Sequence, residues 1–380
     1  MDRVRLGVVG LGNMGSAHIK NHLPQLPRIE LAAVCDVDPR RMDPYEVAKF
    51  ERSEEMIRSG LIDAILVCTP HYSHTTIGID AMSQGLHLLV EKPISVHKAD
   101  AERLVAAYRE GLVFAAMFNQ RTDPRYRKVR DLVQSGELGE IRRASWTITD
   151  WFRTAAYYAS GGWRATWGGE GGGVLLNQCP HNLDLYQWIL GMPSRVTAHI
   201  GLGRFHDIEV EDQVTAFLEH PNGATAVFTT TTGEAPGTNR LEIAGDRGKV
   251  VVEEGKITLF RTRVSVKEFL NTDPGSFSTP EVWRCEVPPM AGGGGQHVEI
   301  LRNFADAVLD GSPLIAPAAE GRASVELANA MILSGLQKRT VELPLDAVGY
   351  ENVLKTLIAE SRHEKKTVEV GPADMASSYR

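Results

Sequence analysis

Glu91-Lys92-Pro93 closes a short apolar run at residues 86–90. Such a run reads as a buried strand, and in sheets of alternating strands and helices ligands bind beyond the carboxyl ends of the strands. Lys92 therefore carries its ammonium to where a cofactor or substrate would lie. Pro93 stiffens the turn and restricts the residue before it. A lysine that serves only solubility needs neither the placement nor the rigid turn, so Lys92 is the first candidate for chemistry.

A second pattern, Gly10-x-Gly12-x-x-Gly15 with Asn13 and Met14 inside it, follows an apolar strand and opens a helix-like stretch at residues 16–23. Gly10 permits a tight turn, Gly12 lets the backbone approach a pyrophosphate, and Gly15 lets helix and strand pack closely. Asp36 closes the next strand, at the spacing of about 20 residues that a ribose-binding carboxylate takes. The combination predicts a dinucleotide site. Asp36 would repel a 2′-phosphate, which favours NAD, while Arg40 and Arg41 near the adenosine end leave NADP open. Thr69-Pro70-His71-Tyr72-Ser73-His74 reads as a loop bordering the nicotinamide half. Its two histidines lack a carboxylate or cysteine partner, so no metal is expected.

These residues need elements to hold them. Residues 31–35, 64–68, 86–90 and 113–117 read as strands, with helices at 77–84 and 99–110. This alternation predicts a parallel, doubly wound sheet, hence an α/β domain over residues 1–122. The pattern then changes. A helix at 124–136 precedes β-branched runs at 141–149, 195–203, 213–219, 224–232, 241–244 and 249–252. They predict an antiparallel sheet with one covered face. Helices follow at 298–309 and 320–336, after a flexible Gly292–Gly295 loop. Residues 123–380 thus read as an α+β domain.

The 380 residues suffice for two cores. A 43% hydrophobic and 23% charged composition is that of an ordinary globular protein. With a net charge of −7 and no basic block, nucleic acid is not an expected partner. No apolar run reaches the roughly 20 residues of a membrane span, and no hydrophobic leader precedes the first strand, so the cytoplasm is expected. Cys35, Cys68, Cys179 and Cys285 are scattered and read as free thiols.

In its motifs the chain resembles the Gfo/Idh/MocA family. The glycine pattern, Asp36, Thr69-Pro70, Glu91-Lys92-Pro93 and the stretch from Gly171 through Asn177, His181 and Asp184 occur in that family's order. The resemblance spans nearly the whole chain. It implies a Rossmann domain and a C-terminal domain with an open, mostly antiparallel sheet. It also implies an NAD(P)-dependent oxidoreductase acting on sugars, inositols or related polyols, and a homodimer or homotetramer built through that sheet. Lys92 and His181 match the catalytic-site lysine and histidine. Four residues before that histidine the family often has Asp. Here it is Asn177, which cannot ionise and can only orient or hydrogen-bond.

Oxidising a secondary alcohol needs a base for the O–H proton and an acceptor for the hydride, which NAD supplies. His181 then reads as the general base. Lys92 reads as the ammonium that holds the hydroxyl and stabilises alkoxide character. Glu91 would fix Lys92 or the ribose, and Asp184 is spaced to orient the His181 ring. Thr69, Pro70, His74, Glu91, Lys92 and Gln120 complete the expected cofactor contacts. Trp151, Arg153, Tyr158, Arg164 and Trp167 belong to an aromatic, arginine-interleaved segment that would stack on a sugar ring and bind an acidic group, or else plug an interface. Arg121 and Tyr126 are weaker substrate candidates. Two other functions compete with a dehydrogenase. One is a glycosidase using NAD transiently, by oxidation and elimination. The other is a non-catalytic NAD-binding sensor.

Overall fold

The computed structural model describes residues 2–273 and 275–368. Six short strands form a parallel sheet: β1 (Val4–Val9), β2 (Ile29–Cys35), β3 (Ala48–Phe50), β4 (Ala64–Val67), β5 (His87–Val90) and β6 (Phe114–Ala116). Their order is β3-β2-β1-β4-β5-β6. β4 is buried along its whole length, as a parallel strand covered on both faces must be. Strand order reverses beside β1, whose neighbours are β2 and β4. The crevice beyond the carboxyl ends of β1 and β4 is therefore the topological switch point where such sheets bind ligands.

The second sheet has nine strands: β7 (Ile141–Ile148), β8 (Arg195–Leu202), β9 (Glu211–Glu219), β10 (Thr225–Thr231), β11 (Asn239–Gly245), β12 (Gly248–Glu253), β13 (Lys256–Thr262), β14 (Val282–Val287) and β15 (Val341–Glu342). Their order is β14-β13-β12-β11-β7-β10-β9-β8-β15. β9 and β10 alternate buried and exposed residues. The covered face packs Trp146 and Phe228 against Leu183 and Met331 of the helices Pro180–Leu190 and Gly321–Gln337. Burying a Phe stabilises by roughly 1.5–3 kcal/mol. The sheet is mixed, because β10 runs parallel to β7.

Several elements differ from expectation. Residues 71–74 form the first turn of the helix His71–Ser83, not a loop. Pro70 sits at its N-cap, where a missing N–H costs nothing. The helix expected at 16–23 is broken into Asn13–Ala17, a π-turn at His18–His22 and a 3₁₀ turn at Leu23–Gln25 containing Pro24. β13 was hidden behind a tight hairpin whose Glu254 and Gly255 both have positive φ, +48° and +76°. β14 is an exposed edge with no buried face to give it a pattern.

Residue 123 marks where the chain leaves the first sheet, but the chain returns. Ile300, Leu301 and Phe304 of the helix Gln296–Asp310 belong to the core of the parallel sheet. Arg28 clasps Asp306 and Asp310 of that helix, and Ala116 N–H donates to the Ala316 carbonyl at 3.0 Å. The tail of the 123–380 segment beyond residue 368 lies outside the described residues.

Candidate active site

The three glycines of the first turn are not equivalent. Gly10 has φ +88°, and a Cβ there would lie 2.8 Å from the Cys68 carbonyl and the Thr69 nitrogen. At Gly15 a Cβ would lie 1.9 Å from the Gly10 oxygen. Both positions are dictated by the protein's own packing. At Gly12 the nearest atom is Arg41 Nη1 at 3.8 Å. Its missing side chain leaves space over the backbone, and that space fits a pyrophosphate.

The adenosine end is organised by Asp36. Its Oδ2 accepts from Leu11 N–H at 2.7 Å and its Oδ1 from Asp38 N–H at 2.9 Å. Arg40 forks onto Asp38 at 2.8 and 2.9 Å, and Arg41 stands 3.8 Å from Asp36. A fixed carboxylate in this place fits a ribose diol better than a phosphate. At the strand ends, Thr69 Oγ1, His71 Nδ1 and Gln120 Oε1 are buried without hydrogen-bond partners among the described residues. Thr69 and Gln120 follow the ends of β4 and β6, where a bound dinucleotide would supply partners. His74 does something else. Its two ring nitrogens lie 2.8 Å from the Pro93 and Thr69 carbonyls, so it pins the Lys92-Pro93 turn to the end of β4.

Glu91 and Lys92 leave β5 in opposite directions. Glu91 is buried; its Oε1 meets His18 Nε2 at 2.8 Å and its Oε2 accepts Lys92 N–H at 3.2 Å. Burial would raise its carboxyl, but the hydrogen bond and charge of His18, with His297 and Lys92, hold it at about 2. His18 also meets His22, Nδ1 to Nδ1 at 3.0 Å, and the His22 ring stacks on His297 at 5.0 Å. Lys92 reaches across to the second domain, where its Nζ donates to the Asn177 carbonyl at 2.9 Å. Burial pushes its ammonium down and Glu91 pulls it back up.

His181 opens the helix Pro180–Leu190, one residue after the proline that separates it from the short helix Val174–Asn177. The ring is buried, and its Nδ1 has no hydrogen-bond partner among the described residues. Burial first, then the charge of Lys92, push this imidazole well below its ordinary range. It is a neutral ring with a free nitrogen beside an ammonium.

Asp184 does not orient that ring. It grips Arg121 through both oxygens at 2.6 and 2.7 Å, and Arg121 also binds Glu320 at 2.5 Å. Arg121 is itself almost wholly buried, so its donors are spent inside the protein. This corrects two expectations. Arg121 is a buried tie between segments, and Asp184 is its counter-ion.

The aromatic segment also divides. Tyr158 and Trp167 are buried in the core of the second domain, and Tyr126 packs there against Trp146 at 5.7 Å. The Tyr158 hydroxyl is bonded to Thr232 at 2.7 Å. These three are core residues rather than a substrate wall. Trp151, Tyr157 and Trp163 are only partly buried and carry the arginines. Arg153 lies over Trp151 and Tyr157 at 5.4 and 5.1 Å, and Arg164 over Tyr157 and Trp163 at 4.7 and 4.8 Å.

Sequence reasoning missed the group around Asn177. The Asn177 side chain donates to the buried Glu170 and accepts from the Tyr157 hydroxyl at 3.0 Å and Gln178 at 3.1 Å. Arg164 donates to the same hydroxyl at 2.9 Å. Glu211 holds the preceding turn, taking Gly173 and Leu175 N–H at 2.8 and 3.1 Å. Only the acidic residue abutting the Gly171-Gly172-Gly173 run hinted at Glu170.

Comparison with known proteins agrees with this geometry. A family model described as an oxidoreductase family with an NAD-binding Rossmann fold matches residues 4–117. A second, the GFO/IDH/MocA C-terminal domain, matches residues 126–251. The chain belongs to the Gfo/Idh/MocA family. It is an NAD-binding oxidoreductase. Myo-inositol 2-dehydrogenase of Thermotoga maritima is 25% identical over 90% of this chain and 98% of its own length. The scyllo-inositol 2-dehydrogenase (NAD(+)) of Bacillus subtilis is 25% identical, covering 66% of this chain and 74% of that protein. The WlbA dehydrogenase of Bordetella pertussis, solved with NADH and UDP-GlcNAcA, superimposes with a TM-score of 0.75 at 25% identity. It covers 90% of this chain and all of its own. This Gfo/Idh/MocA chain joins a parallel and a mixed sheet. Among the described residues no helix is long and apolar enough to cross a membrane.

Proposed function

We propose that this chain oxidises a secondary hydroxyl of a sugar, glycoside or cyclitol, with His181 as general base and Lys92 as its electrostatic partner. The observation that carries this reading is the free Nδ1 of buried His181 beside the Lys92 ammonium. NAD, bound over Gly12 and Asp36, supplies the hydride acceptor. Lys92 holds the substrate oxygen and favours its ionised form. His181 takes the hydroxyl proton, which a neutral imidazole can do and an imidazolium cannot. The two groups repel one another when both are charged, and after burial it is Lys92 that pushes the His181 imidazole down. Alkoxide character on the substrate relieves that repulsion, which makes proton transfer and hydride loss mutually supportive.

Partly buried Trp151, Tyr157 and Trp163 offer ring faces to a saccharide, and Arg153 and Arg164 favour one that carries an acidic group. The inositol dehydrogenases among the relatives, and the neighbour solved with UDP-GlcNAcA, support this substrate class. Exposed Phe217 and Val227 on the open face of the nine-stranded sheet favour a homo-oligomer built through that face. The test is a panel of aldoses, uronates, inositols and glycosides, followed by absorbance of reduced cofactor. At least one should give turnover, and Lys92→Ala and His181→Ala should each lower kcat by on the order of 10²–10⁴-fold. Turnover that survives both substitutions overturns the mechanism. Glycoside cleavage that needs NAD but leaves no net NADH moves the reading to transient oxidation.

A further inference from the structure

We propose that Glu170 is a positioning residue for Lys92: as an ionised carboxylate it fixes the Asn177 side chain and so sets the polarity of the pocket into which Lys92 reaches. The proposal rests on the reading that Lys92 serves the reacting hydroxyl.

Glu170 is 1% exposed, and both its oxygens face N–H donors. Asn177 Nδ2 donates to Oε1, and the Ala165 backbone N–H donates to Oε2 at 2.6 Å. Burial raises this carboxyl, and Arg164, the Ala165 N–H and Asn177 oppose that rise. Because both contacts are N–H donors, the carboxylate form satisfies them without a proton of its own. With its Nδ2 held in this way, Asn177 turns its Oδ1 to the Tyr157 hydroxyl and to Gln178 Nε2. Tyr157 in turn accepts from Arg164, which has no acceptor atom. Donors and acceptors thus run in one direction from Arg164 through Tyr157 and Asn177 to Glu170. The backbone carbonyl of the same Asn177 holds Lys92 Nζ at 2.9 Å.

The charge matters as well as the geometry. Lys92 feels two arginines, Arg164 and Arg153, which push its ammonium down; Glu91 and Glu170 are the carboxylates that oppose them. In a buried pocket these interactions are far stronger than in water. Residue 177 cannot supply a charge, so Glu170 does so from one hydrogen bond further out. An amide at 170 would fail on geometry. Whichever way it turned, its NH₂ would meet either Asn177 Nδ2 or the Ala165 N–H.

Exchanging the two groups would restore each of these hydrogen bonds, though not the Arg164–Glu170 approach at 3.9 Å. In the double variant Glu170→Gln/Asn177→Asp, the new amide oxygen accepts from Ala165 and its NH₂ donates to the new carboxylate. That carboxylate still accepts from Tyr157 and Gln178. Asn177→Asp alone sets two carboxylates face to face, and one must take a proton.

The experiment measures kcat, KM and the pH profile on the best panel substrate for wild type, Glu170→Gln, Asn177→Asp and the double variant. In parallel, the pH midpoint for modification of Lys92 by an amine-reactive reagent is read by mass spectrometry. Each single variant should lose about tenfold or more in kcat, the equivalent of one misplaced pKa unit. The Lys92 midpoint should fall in Glu170→Gln. The double variant should recover most of both. If Glu170→Gln does not fold, Asn177→Asp against the double variant still decides, because adding the second change must then improve kcat. A double variant no better than the worse single, or an unmoved Lys92 midpoint in folded Glu170→Gln, overturns the proposal. The labelling arm needs no substrate, so a chain that oxidises nothing on the panel defeats the function while leaving Glu170 testable.

Discussion

The two halves of this candidate active site are built by different means. On the cofactor side, Gly10, Gly12, Gly15 and Asp36 sit within one β-turn-helix unit and the strand beside it. Gly10 and Gly15 are fixed by backbone contacts, as Asp36 is by the N–H groups of Leu11 and Asp38. On the substrate side, Lys92 leaves β5 while Tyr157, Glu170, Asn177 and His181 belong to residues 157–181, and side chains tie Tyr157, Asn177 and Glu170 together. The first kind of site follows from local chain geometry. The second exists only once two domains have docked, and one wrong polar group there leaves another buried and unpaired. The Arg121–Asp184 pair shows how much the docking depends on buried charge.

Breaking that pair should have the largest effect on stability. Arg121 and the side chain of Asp184 are both about 1% exposed, and Gln187 is Asp184's other partner at 3.1 Å. Asp184→Ala leaves a buried guanidinium whose remaining carboxylate is Glu320, with a side chain that is 46% exposed, beside the Ile315 carbonyl at 3.4 Å. The loss should be about 3–5 kcal/mol, since an uncompensated buried charge is costly whatever the pair was worth. Thermal unfolding measures it. If Asp184 served the His181 ring instead, stability would hold and the pH profile of the reaction would move.

The same contrast decides what was legible in the sequence. Gly10, Gly12, Gly15 and Asp36 stood out because their spacing is that of a dinucleotide-binding turn and its ribose carboxylate. Lys92 was singled out because ligands bind beyond the strand ends of such sheets, whatever lies beyond it in the chain. His181 needed the family pattern, and nothing local distinguishes it from a core histidine. Asp184 was misread because a three-residue spacing suggests a partner for His181, while the helix turns it toward Arg121. Tyr158 and Trp167 were misread because a cluster of aromatics has no sidedness until the sheet beneath it is known. His18 and His297 were invisible, since Glu91 and the ring of His22 meet them only in the fold, and Glu170 left no more than the hint of an acid beside the glycine run.

Two glycines sharpen the comparison within the cofactor side. Gly15→Ala would place a methyl carbon 1.9 Å from the Gly10 oxygen, so the turn itself must move. Gly12→Ala meets only the far end of Arg41 at 3.8 Å. The first should lower the melting temperature and abolish cofactor binding together. The second should leave melting unchanged and weaken NAD by about tenfold, or 1.4 kcal/mol. Calorimetric titration of NAD alongside thermal melting separates them. Equal melting losses in both variants would mean that Gly12 is structural and that its open face has no role in binding.

The two sides should also answer acid in opposite directions, the smallest effect of the set. Burial lowers His22 to about 4 and His297 to about 3. The unfolded chain therefore binds protons below about 6.5 that the folded one refuses, and stability is lost as pH falls from there toward 4. Glu211, beneath the Gly171–Gly173 turn, is pushed up to about 7 by burial. Its Oε1 already accepts two backbone N–H groups while Oε2 has no partner among the described residues, so a proton on Oε2 disturbs nothing. The folded state takes that proton before the unfolded one does, so this group adds stability as pH falls from about 7 toward 4.5. Melting temperature against pH should then show a shallow shoulder between pH 7 and 6 before the acid decline. Glu211→Gln should remove the shoulder and keep the decline. His22→Gln should soften the decline and keep the shoulder. A profile in which either substitution changes both features would mean that the two halves titrate as one unit.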